Sequence, residues 1–215
     1  MGPATSAQIR TLVCCLLVLA AFFAVVYKLT SNFEYWTFEA LRRQSAQHGE
    51  LQMSAIQLRD QDARQFPLLE SSPPEGQIYL VDFFYASCPS VCQSLGSEYF
   101  QIQEQLKASG RGNIRLISIS IDPSHDDPLG LKNYAGRHRA DAQVWKVAAP
   151  VSPEQGRALM RRLGVVAVPD GLGGYVHNGA IHVVDRHGQV RQVLDFADWQ
   201  TALRTAVTLA DGEQR

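Results

Sequence analysis

The 215-residue sequence predicts an α/β fold with a mixed central sheet behind a single N-terminal membrane helix. Three observations carry that prediction. Residues 12–27 (LVCCLLVLAAFFAVVY) are apolar and uncharged, and with Thr11 and Leu29 they reach the roughly 20 residues that span a bilayer. Residues 78–84 (IYLVDFF) are a short apolar run suited to a strand buried on both faces. From that run onward, strand-like and helix-like segments alternate and close with a hairpin and a helix.

Taken in order, residues 1–10 form a short tail and 11–29 the membrane segment. A retained anchor is expected rather than a cleaved signal peptide. The small-residue pattern is followed by Val25, Val26 and Tyr27 and then by Phe33, Tyr35, Trp36 and Phe38, which resemble an interfacial aromatic belt. Arg10 precedes the span while Lys28, Arg42 and Arg43 follow it, so charge counting does not favour export. Export is expected instead because short N-terminal anchors commonly carry a long C-terminal domain across. Cys14 and Cys15 read as small hydrophobes inside the run. Val13 is not the small residue that lipoprotein processing needs before a cysteine.

Residues 30–50 read as a juxtamembrane helix and linker, and 51–210 as one domain. Within it, 56–66 alternates around a central turn, predicting a hairpin, and 71–76, with two prolines and a glycine, breaks the chain. After the strand at 78–84, Val91, Leu95, Tyr99, Ile102 and Leu106 recur at helical spacing, predicting a helix from Pro89 to about Ala108. Pro89 suits the first helical position, where no amide donor is needed. A strand at 114–121, a helix at 127–138, a strand at 144–147 and a helix at 153–163 follow. Paired strands at 180–184 and 190–194 and a helix to about Leu209 complete the order, which is that of the thioredoxin fold, and 211–215 reads as a frayed tail.

Length allows one domain and an appendage. The 20 basic and 21 acidic side chains leave a net charge of −1, so no long-range field draws in nucleic acid.

The chemistry concentrates at Cys88 and Cys92. Spaced i, i+4 on a first helical turn, two sulfurs share one face and can grip a soft metal ion or join as a disulfide. Either use needs thiolate, which a helix N-terminus favours by lowering cysteine pKa. Two intervening residues suit thiol-disulfide exchange, whereas three suit a chelate. Thiolates select Cu(I), and one imidazole would complete a three-coordinate site. The plain alternative is a pair of buried thiols that merely pack.

Residues 81–92 (VDFFYASCPSVC), followed by 116–123 (LISISIDP), Asp126-Asp127-Pro128 and Tyr134-Ala135, resemble the Sco/SenC family of copper chaperones for cytochrome oxidase assembly. The likeness covers about residues 51–210. It implies a thioredoxin-like carrier, rather than an enzyme, anchored in a bacterial inner membrane with its domain in the periplasm. It also implies copper held by Cys88, Cys92 and a third ligand matching His177, and delivery to the dinuclear copper site of an oxidase subunit. Other copper chaperones or thioredoxin-like reductants are implied as further partners. Val176 and Asn178 stand where the family usually has an acidic residue and a small hydroxyl residue, a departure that bears on the contacts orienting the imidazole.

The rival reading is a thiol-disulfide oxidoreductase with Cys88 attacking and Cys92 resolving, the two forming a disulfide when oxidised. His177 separates the readings, since only the chelate requires it. A peroxiredoxin-like peroxidase would place threonine or serine where Tyr85 stands. His182 is the reserve ligand, expected to serve the core or a surface. His187 is expected in an exposed turn, and His48, His125 and His138 on surfaces. Asp122 is expected to fix a turn or cap a helix, and Asp82, if buried, must find a partner.

Overall fold

The computed structural model describes residues 6–30, 37–88 and 91–212. They divide into two units, Met1–Leu41 and Arg42–Arg215. The first contains helix α1, Ser6–Leu29, whose apolar side chains are almost all exposed. Its length and composition suffice to cross a membrane. Helix α2, Phe38–Gln47, bridges the boundary between the units. Most of the expected aromatic belt lies at residues 31–36, outside the described residues.

The second unit is built on a seven-stranded sheet. In chain order its strands are β1 (Gln57–Asp60), β2 (Gln65–Pro67), β3 (Ile78–Phe84), β4 (Ile114–Ser120), β5 (Trp145–Pro150), β8 (Ile181–Asp185) and β9 (Val190–Leu194). Across the sheet they run β2-β1-β5-β4-β3-β8-β9. A separate two-stranded hairpin is formed by β6 (Ala167–Pro169) and β7 (Tyr175–His177). Strands β3, β4 and β5 are parallel, while β1 and β8 flank them antiparallel. The sheet is therefore mixed, as expected. Every residue of β3 is buried, which is why its run of apolar side chains shows no alternation.

Helices α3 (Val91–Ser109), α4 (Pro128–Arg137), α5 (Pro153–Arg162) and α6 (Trp199–Gly212) cover the sheet. Helix α4 opens with Asp127 as N-cap, its carboxylate accepting from the Gly130 amide at 2.7 Å, and Pro128 at the first helical position. Ser152 and Pro153 do the same for α5. Trp145, fully buried, donates its indole N–H to Ser118 Oγ at 2.9 Å and packs on Tyr99. The β8–β9 turn needs Gly188, whose φ is +82° and where a Cβ would lie 2.6 Å from Leu69 and 3.0 Å from the Met53 carbonyl.

Two buried groups stand out. Asp82 in β3 is wholly buried, and neither carboxylate oxygen has a hydrogen-bond partner. Burial pushes its pKa up to about 7, offset only in part by the nearby Ser118 and Tyr99 hydroxyls. Those two hydroxyls stand nearest to the partner expected from sequence. His138, expected on a surface, is buried against Tyr134 and occupies the space a Cβ on Gly96 would need. Four residues after Tyr134 and seven after Leu131, it continues the buried face of α4.

Candidate metal centre

Strand β3 leads directly into the cysteine loop. Beyond Phe84, the chain turns with the Cys88 amide donating to the Tyr85 carbonyl at 3.1 Å. Asp126 holds the turn in place: its carboxylate accepts the Ala86 amide through both oxygens at 3.1 Å and the Ser120 hydroxyl at 2.6 Å. Burial raises its pKa, and these hydrogen bonds pull the other way. Asp122 fixes the neighbouring turn through its carbonyl, which accepts from the His125 and Asp126 amides, while its carboxylate pairs with exposed His125 at 2.8 Å.

Cys88 precedes α3 and is not helical, whereas Cys92 lies in its first turn. The expected start of the helix at Pro89 falls on residues 89–90, outside the described residues. The two thiols still lie within 4.8 Å of each other, and the Cys92 amide donates to Cys88 Sγ at 3.4 Å. Both cysteines are buried, and the Cys92 carbonyl accepts the Tyr134 hydroxyl at 3.0 Å.

His177 arrives from the other side, on β7. No strand is expected here from sequence, since three residues are too few to show alternation and residues 171–174 are rich in glycine. Pairing with β6 makes it the last residue of a strand instead, opposite Ala167. Its Nε2 lies 3.5 Å from Cys92 Sγ. The ligand atoms of Cys88, Cys92 and His177 all fall within 4.8 Å of one another, a spacing at which one ion could touch all three. His182, the reserve ligand, is excluded by its surroundings: it is buried, bonded through Nδ1 to the Val81 carbonyl at 3.1 Å, and held neutral by burial and Arg42, with its pKa lowered to about 3. His48, His125 and His187 are exposed, as expected.

One electrostatic expectation is corrected. Without a metal, the Cys92 pKa is raised, first by the adjoining Cys88 and then by burial. A hydrogen bond from the Cys92 thiol to Cys88 favours the protonated form, and together with burial it outweighs the helix N-terminus. A cation between them would supply the missing counter-charge and displace the protons.

Residues 46–209 match the SCO1/SenC family model, which covers most of the chain. The chain belongs to the SCO1/SenC family. A SCO1 protein homolog of Bacillus subtilis is 27% identical over 118 residues, or 54% of this chain and 61% of that one. The chain spans less than two thirds of the length of the curated relatives it matches. Among solved structures, BsSco, a Sco-family cytochrome c oxidase assembly protein with a disulfide switch, superposes with a TM-score of 0.64 at 19% identity. That match covers 75% of this chain and 95% of BsSco. ScoI of Bradyrhizobium japonicum with copper bound gives a TM-score of 0.59 at 22% identity, covering 73% and 98%. At these identities the SCO1/SenC structures share the fold with this chain, including the thioredoxin-like arrangement expected from element order.

Sequence reasoning on the centre missed Asp126 and Tyr85 as structural parts. Asp126 could have been found from the 126–128 block following a strand end. Tyr85 carries no comparable signal, since its role depends on a strand ninety residues away.

Proposed function

We propose that this SCO1/SenC protein is a membrane-tethered copper carrier, with its domain on the periplasmic side, that hands copper to the dinuclear copper site of cytochrome c oxidase. Cys88, Cys92 and His177 hold the cargo. The observation that carries this reading is the meeting, within 4.8 Å, of two thiols from the end of β3 and the start of α3 with an imidazole from a separate hairpin. Two sulfurs and one nitrogen suit Cu(I). The assembly role of BsSco and the copper held by ScoI support the cargo and the client.

Titrating Cu(I) anaerobically into the reduced full-length chain is expected to give one equivalent bound, and His177→Ala is expected to bind roughly 10- to 100-fold more weakly. Binding of the variant at parental strength would sink the three-ligand reading.

Handover also requires a face on which the recipient can dock. Beyond residue 41, the exposed large apolar side chains among the described residues are Leu129, Val151, Val166, Val168, Leu172 and Val176. Four of the six lie on or beside the β6–β7 hairpin that carries His177. Leu172, at its tip, is 92% exposed. Asp122, beside Tyr175, and Asp170 in the hairpin add negative charge, so the recipient's rim should be apolar with basic groups. In a transfer assay with the soluble copper-binding domain of the oxidase subunit, Leu172→Ser with Val168→Ser should leave copper affinity unchanged and slow transfer about tenfold. Parental transfer by this variant would exclude the face.

A second reading, thiol-disulfide exchange with a partner's cysteines, is favoured by the contact between the Cys92 amide and Cys88 Sγ. In that reading Cys88 and Cys92 pair as a disulfide in the oxidised protein. A disulfide-reduction assay with His177→Ala separates the two, since exchange would survive that substitution.

A further inference from the structure

A ligating histidine is ordinarily oriented by a hydrogen bond from its second ring nitrogen. His177 lacks one: its Nδ1 is buried and has no partner. Its position must therefore be inherited from the strand that bears it. Strand β7 belongs to the β6–β7 hairpin and not to the central sheet, so the sheet does not hold it in place.

Two side chains do. On one side Asn178 accepts the Val166 amide through Oδ1 at 2.7 Å and donates through Nδ2 to the Gly164 carbonyl at 3.0 Å, which fastens the hairpin to the chain leaving α5. On the other side stands Tyr85, 4% exposed, in the cysteine loop. Its hydroxyl donates to the Tyr175 carbonyl, two residues before His177, at 3.2 Å. Its ring meets Tyr175 edge-on at 5.6 Å and His177 at 6.1 Å. Space for it is reserved, since a Cβ on Gly174 would sit 2.9 Å from the Tyr85 oxygen.

We propose that Tyr85 is a positioning residue: its hydroxyl ties the strand carrying His177 to the loop carrying Cys88 and thereby fixes the distance between the sulfur and nitrogen sides of the centre. The inference rests on the copper reading above and adds a residue to it. Phenylalanine would keep the ring contacts and the packing but lose the tie.

The test uses the full-length chain in detergent micelles, with Tyr85→Phe placed in the parent and in His177→Ala. Cu(I) affinity is read by competition with bicinchoninate. Tyr85→Phe is expected to weaken binding about tenfold in the parent and to change nothing once His177 is gone. An equal loss in both backgrounds, or no loss in the parent, overturns the proposal. Amide exchange of the metal-free protein supplies an independent reading. Tyr85→Phe should speed exchange at Tyr175–His177 while leaving β3 and β4 protected. Unchanged exchange there overturns the tie even if copper binds normally. Faster exchange in a protein whose parent takes no copper would instead remove the copper reading and leave the tie standing.

Discussion

Cys92→Ala is expected to abolish stoichiometric copper binding, with affinity lowered by roughly two to three powers of ten. Cys92 is the residue shared by both contacts within the candidate centre: its amide meets Cys88 Sγ and its sulfur meets His177 Nε2. The substitution should also change the pH dependence in a diagnostic way. Cys92 keeps its proton in the metal-free protein because of Cys88 and burial. Copper binding must displace that proton, so affinity rises with pH, by about tenfold per pH unit for each thiol deprotonated. The slope of log affinity against pH should therefore be lower by about 1 in Cys92→Ala than in the parent. Both slopes follow from anaerobic competition titrations between pH 6 and 8. An unchanged slope would mean that Cys92 gives up no proton to the metal.

The second large effect concerns stability. The pKa of Asp82 is raised from 3.8 to about 7 by complete burial without a hydrogen-bond partner. Between those values the unfolded chain has lost this proton and the folded protein keeps it, so stability falls as pH rises. The fall is about 1.4 kcal/mol per pH unit, or on the order of 4 kcal/mol once pH exceeds 7. Asp82→Asn removes the charge while preserving shape. Denaturant unfolding should show the variant more stable than the parent by a few kcal/mol at pH 8 and equal to it near pH 4. A difference independent of pH would show that the carboxylate does not ionise in place.

The feature that makes Asp82 expensive also made its strand easy to read. A run buried on both faces announces itself by composition, so β3 was legible, as were α3 through its helical repeat, the β1–β2 hairpin through alternation and the starts of α4 and α5 through Asp127-Pro128 and Ser152-Pro153. The cysteines were legible because their chemistry depends on local spacing. The β6–β7 hairpin was not, for at three residues a strand it has no period, and its order comes from Asn178, bonded to Gly164 and Val166, and from Tyr85 reaching across the fold. His138 misled for a different reason. Four residues after Tyr134 and seven after Leu131, it continues the buried stripe of α4, and only its polar ring pointed to a surface. His177 had no period to read, and entered the site through a family likeness and not through its own surroundings.

That division has a kinetic meaning for the two sides of the centre. The thiols are seated in the packed core, with Cys92 beneath Tyr134, while the imidazole rides on a two-stranded flap with an apolar tip. When a bound ion leaves, the cheapest first motion is the lifting of the flap. In the transfer proposed above, the nitrogen would therefore dissociate first and the sulfurs last, and an incoming ligand from the recipient would fill the place that His177 vacates.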